Sequence, residues 1–122
     1  MKPQEYKTNS AKFLVYDKYI VAEPLVYVDV YKNEVEQLHN VVSKYFEGDF
    51  GLIENRINES SINPLAYEYA KDLMPNFSAF ALVAYSDLAK KSFEVEGLFI
   101  ENIKYAMFDS LPDAQEWIES VL

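Results

Sequence analysis

The seven residues Ala79-Phe-Ala-Leu-Val-Ala-Tyr85 constrain the fold more than any other part of the chain. The run is apolar at nearly every position rather than at every second one. A strand with one wet face alternates, whereas a strand covered on both faces does not. The run is also too short for a typical buried helix. The chain therefore has to supply cover on two sides, which points to a sheet carrying parallel strands between layers of helix.

The flanking sequence supplies that cover. Phe13-Leu-Val-Tyr16 and Tyr19-Ile-Val-Ala22 are β-prone runs separated by Asp17-Lys18, the pattern of a tight hairpin closed by Pro24. Val26–Val30 reads as an extended lead into a helix from about Lys32. In that helix Val35, Leu38, Val42 and Tyr45 hold one face, with Glu34, Glu36, Gln37 and Lys44 outward and Gly48 as a stop. Phe50–Asn55 reads as a strand. Asn63-Pro64 opens a second helix with Leu65, Tyr69 and Leu73 along one face, beside Ala66 and Ala70. Pro75 ends it. Ser86 or Asp87 caps a third helix, whose apolar positions are Leu88, Ala89, Val95 and Phe99. Ile103–Phe108 is a last strand, and Ser110-Leu-Pro-Asp113 caps a final helix with Ala114, Trp117, Ile118 and Val121 inward. The order is ββαβαβαβα: an N-terminal β-hairpin, then alternating βα units forming a mixed sheet with about four helices.

At 122 residues this is one domain, spanning 12–122 after a polar, flexible stretch at 1–11. The formal net charge is -9, a sign that repels phosphate backbones and so disfavours a nucleic acid partner and anionic membrane surfaces. No apolar run reaches the length of a membrane span, and the first residues lack the apolar stretch of a signal peptide. With no cysteine, disulfides and thiolate metal sites are excluded, and a cytoplasmic location is the default. Three glycines, Gly48, Gly51 and Gly97, leave no Gly-rich phosphate loop.

Function is sought beyond the carboxyl ends of the strands, where open α/β sheets place their ligands. The segment after Phe50–Asn55 carries the only arginine, Arg56, among Asn55, Asn58, Asn63, Ser60 and Ser61. Arg56 reads either as an anchor of the loop or as a contact to a partner or ligand. The asparagines and serines read as turn and cap formers, or as a surface that reads a partner. A phosphate on Ser60 or Ser61 near a helix start would suit free backbone N–H groups and an arginine fork. His39 stands alone, so no histidine-based metal site or catalytic triad can be built. Glu94, Glu96 and Glu101 read as a solvated face. Tyr16, Tyr19, Tyr27, Tyr31, Tyr45, Tyr67, Tyr69 and Tyr85 suit core and boundary positions, or a binding surface if several are exposed together.

Four pieces resemble a known family: Gly51-Leu-Ile-Glu-Asn-Arg56, Ser60-Ser-Ile-Asn-Pro64, Phe80-Ala-Leu-Val-Ala-Tyr-Ser86 and Phe108-Asp-Ser-Leu-Pro-Asp-Ala-Gln-Glu-Trp-Ile118. Together they are similar to the small stand-alone SpoIIAA-like proteins of the STAS superfamily, of the Bacteroidetes type. The likeness spans roughly residues 12–121. It implies a sheet of four or five strands covered by helices, no enzymatic activity, no cofactor, and a role as a binding or switch module. Family antagonists carry a phosphorylatable serine in an Asp-Ser-Ser-Gly-like loop; here Glu59-Ser60-Ser61-Ile62 takes that place, with Glu for Asp and Ile for Gly. The resemblance thus implies a protein partner or self-association at Asn55–Asn63, switched at Ser60 or Ser61. The alternative is a small-molecule module holding a lipid or other apolar anion between helix and sheet.

Overall fold

The computed structural model describes residues 2–122. Strands β1 (Gln4–Lys7), β2 (Ala11–Val15) and β3 (Tyr19–Pro24) form an antiparallel meander. Beyond it, β5 (Phe50–Arg56), β7 (Phe77–Ala84) and β8 (Lys104–Phe108) add in parallel, giving the order β1-β2-β3-β5-β7-β8. A separate parallel pair joins β4 (Asp29–Val30) to β6 (Ser61–Ile62). The helices are α1 (Lys32–Tyr45), α2 (Leu65–Leu73), α3 (Asp87–Glu96) and α4 (Leu111–Val121); a 3-10 turn at Gly97–Phe99 follows α3.

The two-faced strand of the sequence is β7. Phe80, Leu82 and Ala84 join one buried cluster with Phe13, Ile20, Phe50 and Phe93, under α1, α2 and α3. Ala79, Ala81 and Val83 join the other with Tyr19, Val21, Ile53 and Ile118, under α4. Ala114 and Ile118 are wholly buried there, because α4 lies close on Gly51: a Cβ at that position would stand 2.5 Å from Ile118 Cδ1. The sheet has six strands rather than four or five, since Gln4–Lys7 pairs with β2 instead of forming a frayed lead.

The caps hold in detail. Ser86 Oγ accepts the Ala89 N–H at 3.1 Å, and Ser110 Oγ accepts the Asp113 N–H at 3.4 Å. Asn63 Oδ1 accepts the Leu65 N–H at 3.0 Å. In α1, Glu34 turns back to accept the Tyr31 N–H at 2.9 Å, so it is used rather than simply outward. Helix faces depart from expectation in three places. Tyr45 and Leu65 are exposed, while Val41 and Tyr67 are buried. In α3 the inward residues are Phe93 and Glu96, Leu88 and Val95 face out, and Phe99 is exposed in the 3-10 turn that follows. Among the described residues, no helix is long and apolar enough to cross a membrane.

Candidate functional site

Strand β5 runs between β3 and β7 and is covered on both faces, yet it ends on three polar residues. Glu54, Asn55 and Arg56 are each at most 5% exposed. Pleating sends Glu54 and Arg56 to the side of α1, α2 and α3, and Asn55 to the side of α4. Asn55 Oδ1 accepts the Tyr85 hydroxyl at 2.5 Å. Arg56 lies against two carboxylates: its Nη2 donates to Glu54 Oε2 at 3.3 Å and to Glu96 Oε1 at 3.1 Å, and Nη1 reaches Glu96 Oε2 at 3.5 Å. Tyr67 of α2 donates to Glu96 Oε1 at 3.0 Å. One guanidinium thus ties β5, α2 and α3 together around a buried centre with more acids than bases.

The electrostatics follow from that imbalance. Burial disfavours the Glu54 anion, Arg56 offsets part of the penalty and Glu96 adds to it, so the Glu54 carboxyl is pushed up from 4.5 to about 7. Desolvation opposes the Arg56 cation, but Glu54 and Glu96 outweigh it and the group is held above its ordinary value. Burial, then Glu54 and Glu96, raise the Tyr67 phenol well above 10.

The loop after β5 is laced to its surroundings. Asn58 Nδ2 donates to the Pro24 carbonyl at 3.2 Å, and Tyr27 N–H donates to the Glu59 carbonyl at 2.6 Å. Ser61 Oγ donates to Asp29 Oδ1 at 2.8 Å across the β4–β6 pair. Tyr27 sits at φ 64°, a left-handed conformation costing on the order of 1 kcal/mol in a bulky residue. Its ring is nonetheless 80% exposed. Beyond the ends of β5 and β7 this loop and the start of α3 enclose a crevice of about 740 Å³. Arg56 and Ser60 line it, and Tyr27, Ile57, Tyr85 and Leu88 stand exposed around it. Arg56 Nε and Ser60 Oγ are buried and have no hydrogen-bond partner among the described residues.

The order of strands and helices, as a fold, is found in a solved structure. A crystal structure of an uncharacterized protein from the DUF3478 family, from Shewanella loihica PV-4 and with a SpoIIAA-like fold, matches 95% of this chain and 91% of its own, with a TM-score of 0.56 and 13% identity. This chain has a SpoIIAA-like fold. No protein-family model matches the chain, and no curated protein matches it.

Within this SpoIIAA-like domain the expected site residues divide. Asn58, Ser60 and Ser61 meet at the crevice, and Arg56 also lines it. Asn55, Arg56 and Asn63 are drawn into structural bonds, so Arg56 cannot offer its fork to a phosphate while Glu54 and Glu96 hold it. Ser61 lies in β6 rather than at a helix start, since α2 begins only at Leu65. Glu96, expected on a solvated face, is buried; Glu94 and Glu101 are exposed. The sequence reading assigns no role to Glu54 and none to Glu96 beyond that solvated face. Two signals point to them: Glu54 follows Leu52 and Ile53 in an otherwise apolar strand, and Ala89, Phe93, Glu96 and Ile100 recur at helical spacing. A second, smaller space of about 70 Å³ lies between the sheet and helices α1 and α2, with Phe13, Leu38, Tyr67, Phe80 and Glu54 in its walls.

Proposed function

We propose that this chain is a non-enzymatic, cytoplasmic regulatory module that captures a protein partner at the crevice beyond β5 and β7. The observation that carries the reading is the ring of exposed apolar side chains there. Tyr27 is 80% exposed, Leu88 68% and Ile57 57%. Three large apolar side chains around one concavity are a surface that water solvates poorly and a partner would cover. A left-handed Tyr27 that presents its ring to solvent fits the same purpose, because backbone strain persists where the presented side chain is used. Ser61 supplies a switch. It is exposed and donates to Asp29, so a phosphate there would replace a hydrogen bond with repulsion between like charges and loosen β4 from β6. Ser60, with its hydroxyl turned inward, would have to rotate out first.

The test is capture from native lysate with wild-type, Ile57→Asp and Leu88→Asp baits, read by quantitative mass spectrometry after thermal melts show all three folded. A protein enriched by wild type and lost by both variants supports the reading. Equal capture by three folded baits refutes it. Ser61→Glu is expected to weaken the same capture.

The apolar space against α1 and α2 supports a second reading, a small-molecule module. At about 70 Å³ it is well short of a lipid chain, and the helices would have to part to admit one. Glu54 in its wall would repel an anion at high pH. Native mass spectrometry of mildly prepared protein tests it: a bound mass supports the pocket, and repeated empty spectra count against it.

A further inference from the structure

The two edges of the six-stranded sheet are built differently. At β1 the edge sequence is Gln4-Glu5-Tyr6-Lys7, with Pro3 before it. Charges and proline on an edge discourage pairing with another chain. At the other edge, β8 reads Lys104-Tyr-Ala-Met-Phe108 and carries no charge after its first residue. Its outer side has no strand partner in the sheet order.

The helix layer also stops short of β8. Register places Tyr105 beside Phe80 and Met107 beside Leu82, so both side chains point to the face covered by α1, α2 and α3. The Phe93 ring meets Tyr105 edge-on at 6.0 Å, and the Tyr105 ring packs near Gly97. Past that contact the surface is apolar and uncovered. Leu98 is 80% exposed, Val95 56%, Phe99 and Tyr105 45%, and Met107 38%. Together these residues expose on the order of 500 Å², a large share of it apolar, within the range of the largest patches on a monomer. None of these residues lines the crevice described above.

We propose that this edge pairs with the same edge of a second copy of the chain, through an antiparallel β8–β8 junction about a two-fold axis near Ala106. Three observations favour a second copy over another partner. Around this edge Lys90, Lys91 and Lys104 offset the exposed Glu94, Glu101 and Asp109, with Lys90 2.9 Å from Asp109, while Glu96 is buried against Arg56, so the excess charge of the chain lies elsewhere. A basic partner drawn by the acidic field would find nothing to bind at this edge. The strand is also self-complementary: a two-fold at Ala106 sets Tyr105 of each copy opposite Met107 of the other, a sulfur–aromatic pairing made twice. Finally, the exposed apolar area plus the strand edge itself approaches the roughly 800 Å² per partner of a standard interface. The result is a continuous twelve-stranded sheet with the helix layers joined on one side.

Sedimentation equilibrium from about 1 to 300 μM tests this, a range that brackets modest affinities. The expected wild-type mass rises toward twice 14.1 kDa with concentration. It should rise further with added salt, which screens the repulsion between two acidic copies. Met107→Lys and Leu98→Asp, both at exposed positions, are each expected to raise the dissociation constant by about tenfold or more. Glu5→Lys at the opposite edge should leave it unchanged. Amide exchange over Tyr105–Phe108 should slow as concentration rises. A wild-type monomer throughout the range overturns the proposal. So does a dimer indifferent to both β8-side variants, or one broken by Glu5→Lys.

Discussion

Replacing Glu54 by Gln should make this protein more stable, and increasingly so as pH rises. In the folded chain the carboxyl titrates near 7, against an ordinary value of 4.5. Below 4.5 both folded and unfolded chains hold the proton, and the group does not discriminate between them. Between 4.5 and 7 the unfolded chain releases its proton while the buried carboxyl keeps it, so stability falls as pH rises. Above 7 both are ionised and the loss is complete. At about 1.36 kcal/mol per pH unit, that gap amounts to roughly 3 kcal/mol. For a chain of this length this corresponds to a change in Tm on the order of 10 °C. Gln keeps the shape, an acceptor for Arg56 and the Arg56–Glu96 pair, and has no proton to lose. Urea unfolding of both proteins at pH 5, 6, 7 and 8 isolates the buried centre, because carboxylates distant from it cancel in the difference. The variant is expected to exceed wild type by roughly 3 kcal/mol at pH 8 and by much less at pH 5. A difference that stays flat across this range, or shrinks with pH, would refute the account of the buried centre.

Arg56→Ala removes the one cation between two buried carboxylates, and a loss of about 3–5 kcal/mol is expected in thermal melts, larger at pH 8 than at pH 5; an unchanged Tm would mean that the arginine does not hold the three elements together. Gly51→Ala places a Cβ 2.5 Å from Ile118 Cδ1 and 2.7 Å from its Cγ1, and is expected to cost about 1–3 kcal/mol in urea unfolding. Trimming the contact with Ile118→Val in the same chain should recover part of that loss. Ser110→Ala deprives the Asp113 N–H of its acceptor and should lower stability by about 1 kcal/mol, seen as a shift in the urea midpoint with an unchanged slope.

Much of the architecture is legible in local sequence. The unbroken apolar run at Ala79–Tyr85 marks β7, since only a strand covered on both faces can dispense with alternation. Ser86, Asn63 and Ser110 mark helix starts because a short polar side chain satisfies N–H groups that the helix leaves free. The hairpin at Phe13–Ala22 follows from two β-prone runs joined by a two-residue turn. Each of these depends on neighbours within a few positions. The face of α3 is not legible in this way, because Leu88 and Val95 are apolar yet exposed, while Glu96 is charged yet inward. Hydrophobicity ranks a carboxylate outside; only a buried guanidinium reverses that ranking.

The alternation of strands and helices, their caps and the polar loop after β5 follow from local sequence, because sterics, capping and hydrophobic period act over short separations. The inward orientation of Arg56 follows only from the folded chain. The Glu96 that holds it lies forty residues away, on a helix brought over β5 only when the sheet assembles. The folded chain alone also places Ile57, Tyr85 and Leu88 around one crevice and leaves β8 as an apolar edge. Which side chains meet across a sheet, and which stay uncovered, depends on strand order and register, and these are set by the packing of the whole chain.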